Sequence, residues 1–279
     1  MKDISIDRKK CTLCEACLET CPAHIFFMEG SEIQVHHEDQ CIACGHCVSV
    51  CPVDAVIYEG LDLTGFLPVR EASDVPEEAL YYFLRSRRSC RAYGPKKVPK
   101  EILEKLIEIG RFAPTAHNLQ DSEFIVIQDK GKIEKLSKIA ATFYGNTVKR
   151  LEASKKPIPS YLKGMMYGFR MNYEFSLQGK DRIFRGAPVV ILLHSSAENP
   201  SSLDNCLYTL FHMVMMAHAM GLGTCINRYF VAAAENVPEI PKELDIPEGH
   251  KIYGCVTLGF PKHKFYKLPS RKPPKVKWI

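Results

Sequence analysis

The chain carries one tryptophan in 279 residues, no run of eighteen apolar residues, and no Gly-x-Gly-x-x-Gly segment. Without the apolar run, no membrane-crossing helix is expected. Without the glycine pattern, there is no dinucleotide-binding βαβ unit, whose first turn must bring bare backbone against a pyrophosphate. Met1 to Lys10 is charged and lacks an apolar core, so no secretory signal is expected there. A recognition helix and a basic stripe interleaved with aromatics are also missing, so nucleic acid is not an expected partner. No nucleophile triad is visible, and no catalytic residue can be named.

What is present divides unevenly along the chain. Residues 1–60 hold four Lys/Arg against ten Asp/Glu, a net −6, while the remainder holds 33 against 22, a net +11. A basic body suits acidic small molecules or a phosphate-bearing cofactor. Hydrophobic content of 46% and charged content of 25% are ordinary, and the length allows one large core plus one small domain.

Cysteine is abundant, and eight of the twelve fall in two runs, CTLCEACLETCP at 11–22 and CIACGHCVSVCP at 41–52. A shift of thirty residues superposes all four cysteines of each run, Pro22 on Pro52, and Glu29-Gly30 on Glu59-Gly60. Residues 1–60 are therefore a duplicated unit. Structural zinc uses two Cys pairs separated by a longer loop rather than four thiols in eleven residues. Disulfides require an oxidising compartment. The C-x₂-C-x₂-C-x₃-C-P spacing resembles that of two-cluster bacterial ferredoxins. The resemblance implies two [4Fe–4S] clusters, one on Cys11, Cys14, Cys17 and Cys51, the other on Cys41, Cys44, Cys47 and Cys21. Such clusters would stand in for the core that sixty residues cannot build. They point to a reducing cytoplasm, where Cys90, Cys206, Cys225 and Cys255 read as small buried hydrophobes. His24, His36, His37 and His46 read as solvated or cluster-adjacent histidines.

In chain order, a strand is expected over 2–7, a hairpin over 25–35 and a strand over 56–58. Residues 61–74 read as a linker. A helix then opens with an Asp74/Glu77 capping box and Pro76 in its first turn. A second amphipathic helix carries Ile102, Leu103, Leu106 and Ile107 and ends near Gly110. Strands are expected at 124–127, 189–193, 224–227 and 253–258, a helix at 132–141, and a long apolar helix at 204–220 closed by Gly221. Residues 142–186 show few boundaries. Helices interleaved with about four strands make residues 75–279 an α+β body.

Five segments of that body resemble the nitroreductase family of FMN enzymes: Arg87-Arg88-Ser89 with Arg91, Ala113-Pro114-Thr115-x-x-Asn118-x-Gln120, Arg185-Gly186-Ala187-Pro188, Gly221-Leu222-Gly223-Thr224-Cys225, and Ser270-Arg271-Lys272-Pro273. The resemblance implies FMN as cofactor. Arg87, Arg88, Ser89, Arg91 and Arg271 would take its phosphate, and Pro114, Thr115, Asn118, Gln120, Thr224, Cys225 and Asn227 would surround its ring and ribityl chain. Thr115 and Asn118 also read simply as turn residues of a Pro-containing loop. After Cys225 the chain departs from the family with Ile226-Asn227-Arg228, where relatives often carry Trp then Gly. His117 reads equally as a flavin contact or a surface histidine. The resemblance further implies a homodimer with residues 267–279 as a crossing arm. The segment over 143–184 reads as substrate-facing through Met165, Met166, Tyr167, Phe169, Met171, Tyr173 and Phe175, a stripe of a kind that is more often core.

The expected function is that of an iron–sulfur flavoprotein oxidoreductase. A low-potential donor such as ferredoxin would feed the clusters, NAD(P)H being the other possible donor. A small acceptor would leave reduced: a nitroaromatic, a quinone or an activated alkene. Two other readings stay open, an electron-transfer module with a protein acceptor and a dehalogenase-type flavoenzyme.

Overall fold

The computed structural model describes residues 4–69, 75–155 and 157–279. The chain divides into two compact units, Met1–Val75 with Ala116–Leu119, and Pro76–Thr115 with Gln120–Ile279.

The first unit contains β1 (Ile4–Ile6), α1 (Ala16–Thr20), β2 (Phe26–Glu29), β3 (Glu32–Val35), α2 (His46–Val50) and β4 (Val56–Tyr58). β1 pairs antiparallel with β4 and β2 with β3, so the expected hairpin and closing strand form. Lys2 and Asp3 of the expected first strand lie outside the described residues. The hairpin turns at Gly30, whose φ of +61° suits the first central position of a two-residue turn. The thirty-residue repeat extends to the backbone. Positive φ occurs at Leu13 (59°) and Ala43 (53°), at Glu15 (59°) and Gly45 (71°), and at His24 (51°) and Asp54 (49°). The core is small, with Ile4, Ile25, Phe26, Ile33, Val56 and Tyr58 packed around the thiols of Cys17 and Cys47. Residues 61–66 fold back rather than leaving as free linker. A Cβ on Gly45 would stand 2.7 Å from Phe66 Cζ, so glycine is what lets this ring approach.

The second unit contains α3 (Glu77–Ser86), α4 (Lys100–Gly110), β5 (Glu123–Ile127), α5 (Lys130–Ala153), α6 (Ser160–Leu177), β6 (Val189–Ser196), α7 (Ser202–Ala219), β7 (Gly223–Ile226), α8 (Arg228–Asn236), α9 (Glu239–Glu243) and β8 (His250–Gly259). Asp74 of the expected capping box lies outside the described residues, and Pro76 occupies the N-cap of α3 rather than a place in its first turn. The strands form an antiparallel sheet in the order β5-β6-β8-β7, giving an α+β body. β6 is buried on both faces from Val189 to Ser195, which explains its uninterrupted apolar start. One face packs Val189, Ile191 and Leu193 against α4 and α7. The other packs Val190 and Leu192 in one core with residues of α5, α8 and Phe169 of α6. α7 ends in a Schellman motif: Leu222 N–H donates to Ala217 O (2.8 Å) and Gly221 N–H to His218 O (3.0 Å), with Gly221 at φ +74°.

Residues 142–186, which showed few boundaries in sequence, contain the end of α5 and all of α6. The two helices hide their periodicity because they pack on each other at a glycine: a Cβ on Gly145 would lie 2.4 Å from Tyr173 Cγ. The Met/aromatic run accordingly splits between core and surface. Phe169 is 5% exposed and stacks near Tyr144 at 4.6 Å, whereas Tyr167 is 74% exposed. Gly145→Ala is expected to force the helices apart and cost about 1–3 kcal/mol. Thermal unfolding of the second unit should show this as a melting point lower by several degrees, and an unchanged melting point would contradict the packing.

Candidate functional site

Seven of the eight thiols of the first unit fall into two groups. Cys21, Cys41, Cys44 and Cys47 line one small cavity together with Ile25, Phe26 and Tyr58. Cys17 lies within electrostatic reach of Cys11 and Cys14. Burial pushes the Cys47 thiol up to about 11, and neighbouring Cys44, Cys21 and Cys41 push it the same way. Crowded thiols of this kind become thiolates readily beside a cation, which iron would supply. The left-handed residues between the cysteines explain how the backbone closes around such a centre. Alternating αR and αL residues turn successive N–H groups toward one point, a concavity suited to anionic groups and iron–sulfur centres. Two N–H groups reach these sulfurs: Ala43 donates to Cys41 Sγ (3.4 Å) and Ala55 to Cys51 Sγ (3.1 Å). Tyr58 Oη stands 3.5 Å from Cys41 Sγ. Segment 116–119 belongs to this unit, and Asn118 Nδ2 donates to the carbonyls of Ile42 (3.3 Å) and Ala43 (3.0 Å).

In the second unit the chain after α3 runs alongside β7. Ser89 forms a parallel bridge with Thr224, and Cys90 N–H donates to Thr224 O at 2.8 Å. This approach requires Gly223, where a Cβ would stand 2.6 Å from Cys90 Sγ. Tyr93 fastens the strap from its other end, its Oη donating to Cys90 O (3.0 Å) and standing 2.7 Å from Thr257 Oγ1. Two distant motifs, Arg87-Arg88-Ser89 and Gly221 to Cys225, are thereby brought together. Arg88, Cys90, His218, Gly221, Lys262 and Lys264 are among the residues that line an open cavity of about 490 Å³.

The electrostatics of this place are one-sided. Arg88 Nε is buried without a hydrogen-bond partner, and the Arg88 guanidinium is held below its usual range first by burial and then by Arg271, Arg87 and Arg85. His218 is likewise pushed down, chiefly by burial and also by Arg87 and Arg88, while its Nε2 lies 2.7 Å from Ser86 Oγ. A gathering of guanidinium groups with a buried, unpartnered N–H fits a dianionic phosphate. Sequence reasoning found the arginines but missed His218, Lys262 and His263, which have no motif of their own and enter only through the strap.

The remaining candidates are distributed differently. Thr115 Oγ1 accepts the Gln120 N–H at 3.0 Å, and both residues line a cavity of about 100 Å³ with Ala113, Ser122 and Thr209. His117, Asn118 and Gln120 all have positive φ, which gives the loop of Pro114 its sharp bends. Arg91 and Arg271 are exposed, and Cys225 is half-buried. Asn227 caps α8: Oδ1 accepts from Phe230 N–H (3.0 Å) and Nδ2 donates to Ile183 O (2.7 Å), so its amide is committed to the fold. Arg228 pairs with Glu235 at 3.7 Å.

Residues 84–260 match the Nitroreductase family, and residues 3–52 match the 4Fe-4S dicluster domain. A Cr(VI) reductase from Pseudomonas sp. is 30% identical over 64% of this chain and 65% of its own length. An iodotyrosine deiodinase from Thermotoga neapolitana is 21% identical over 69% of this chain and 94% of its own. The crystal structure of a nitroreductase with bound FMN from Bacteroides fragilis superposes with a TM-score of 0.58, covering 74% of this chain and all of that one at 20% identity. That likeness establishes the fold.

The arginine cluster itself makes a prediction. Inorganic phosphate is expected to raise the melting temperature of the flavin-free protein as any ligand of the native state does, by RT ln(1 + [L]/Kd). Thermal shift measured at constant ionic strength should show the rise in the native sequence and lose it in Arg88→Met. An equal rise in both would place the anion elsewhere.

Proposed function

Because this chain belongs to the nitroreductase family and carries a 4Fe–4S ferredoxin-type unit ahead of that body, we propose that it is an iron–sulfur flavoprotein oxidoreductase whose cofactors are FMN and two [4Fe–4S] clusters. FMN supplies the exchange between single electrons and electron pairs, and the clusters supply single-electron relay. The observation that carries the flavin half is the buried, unpartnered Nε of Arg88 amid other guanidinium groups. Arg87, Arg88, Ser89 and Arg271 would hold the phosphate. Thr224 and Cys225, drawn alongside Ser89 by the strap, would lie beneath the ring, with Pro114, Thr115 and Gln120 at its rim. On the cluster side, Cys11, Cys14, Cys17 and Cys51 would hold one centre, and Cys41, Cys44, Cys47 and Cys21 the other. The shared cavity of the latter four supports the second set.

A low-potential donor such as ferredoxin would feed the clusters, and the acceptor would be a nitroaromatic, a quinone or an activated alkene. The functional unit would be a cytoplasmic homodimer with residues 267–279 reaching across. The apolar side chains of α3 support a covering partner, since Leu80, Tyr81, Tyr82 and Leu84 are all more than 40% exposed. The deiodinase among the relatives favours a second reading in which the acceptor is a halogenated aromatic.

Paired variants test the cofactor assignment. Iron and flavin analysis of the native protein should give about eight irons and one FMN per chain, and Cys44→Ala should lower the iron by about half while leaving flavin in place. Arg88→Met should weaken FMN retention roughly ten- to hundredfold, the worth of a lost charge-assisted hydrogen bond of about 1.5–3 kcal/mol, and leave iron unchanged. Zinc in place of iron, or flavin retained equally by Arg88→Met, would contradict the assignment.

A further inference from the structure

At the end of the sheet opposite the strap, three side chains on adjacent strands converge. Glu123 opens β5, His194 lies near the end of β6, and His250 opens β8. Their placement follows from register. Glu123 pairs directly with His194, so both project from the same face as Ile125 and Leu192. On β8 the register shifts between Leu193 and His194, the former opposite Gly254 and the latter opposite Ile252. This bulge at Tyr253 re-aims the start of β8. Unbulged pairing would put Tyr253 opposite His194 and send Ile252 and His250 to the other face. With the bulge, His250 is the diagonal neighbour of His194 on the same face.

The resulting distances are short. His194 Nδ1 and His250 Nδ1 stand 3.1 Å apart, Glu123 Oε1 lies 3.9 Å from His250 Nδ1, and Glu123 Oε2 lies 3.9 Å from His194 Nε2. One ligand atom from each residue can be chosen so that all three lie within 4.8 Å of one another, and among the described residues no other His/Cys/Asp/Glu group meets that condition. Tetrahedral zinc, with bonds of about 2.0–2.2 Å, sets its ligands roughly 3.4 Å apart. The imidazole pair is already near that separation. The carboxylate is on an exposed side chain free to swing inward, and His194 is only 4% exposed. His250 also lines an open cavity of about 550 Å³, which gives an ion and a water ligand a way in.

We propose that Glu123, His194 and His250 form a binding site for one divalent ion of the zinc class, separate from both the thiols and the arginine cluster. Two imidazoles and one carboxylate suit borderline ions, and leave a fourth position for water. The ion would pin edge strand β5 to β6 and β8 just where the chain emerges from the Thr115–Gln120 loop.

The test uses the full chain with its clusters intact, freed of loose metal on a chelating resin and dialysed against low-micromolar zinc. Zinc and iron are then counted by mass spectrometry. The native protein should retain about one zinc per chain, and zinc should raise its melting temperature. His250→Ala and Glu123→Gln should bind zinc roughly a hundredfold more weakly with iron unchanged. Both variants alter side chains outside the packed core, so folding is checked by their iron content and their melting points without zinc. No zinc retained by the native protein would overturn the site and leave the two histidines as a simple hydrogen-bonded pair. Zinc retained equally by the variants would also overturn it, placing the ion on cysteine.

Discussion

Left-handed backbone at Leu13, Glu15, Ala43 and Gly45 is the constraint on which the small unit depends. Three of these four residues carry a side chain that disfavours such a conformation, at a cost of order 1 kcal/mol or more each. Strain of this kind persists where something surrounding the backbone overdetermines it. Thiol–metal bonds, as in the 4Fe-4S dicluster domain that residues 3–52 match, would do so here. The unit's hydrophobic core is too small to bear the task, since two of its buried members, Cys17 and Cys47, are themselves ligand candidates. With clusters bound, metal binding and folding would be one event in residues 4–66.

The larger unit has a complementary imbalance. Its sheet and two apolar layers are self-sufficient, but the strap from Arg87 to Tyr93 gathers positive charge with no acidic side chain in salt-bridge contact among the described residues. Natural folds tolerate such repulsion where a ligand relieves it. Gly223, Cys90 and Tyr93 hold the strap against β7, so the proposed phosphate site would be prepared before any ligand arrives. The same contacts set Thr224 and Cys225 beside Ser89.

The sequence made some of this legible because the responsible physics is local. Cluster ligation fixes cysteine spacing within a run, so the duplication could be read directly. Gly221 announces its Schellman motif, and the apolar run of β6 announces a strand buried on both faces. What remained hidden depends on contacts between distant segments. α5 and α6 concealed their boundaries because Gly145 receives Tyr173 and because Pro159, rather than a Ser or Asp, precedes α6. α8 was missed because its cap, Asn227, looked like a flavin ligand. His218 and the Glu123, His194 and His250 trio owe their settings to the strap and to a bulge, neither of which has a motif.

The central claim is that one chain joins iron–sulfur and flavin chemistry, with the clusters as inlet. An anaerobic titration of the purified protein, first with dithionite and then separately with NADH and NADPH, addresses it most directly by following the brown cluster absorbance and the flavin bands together. Bleaching of both by dithionite, with slow or no bleaching by the nicotinamides, is the predicted result. Rapid bleaching by NADH or NADPH would contradict it, making the flavin the point of entry and the clusters the outlet.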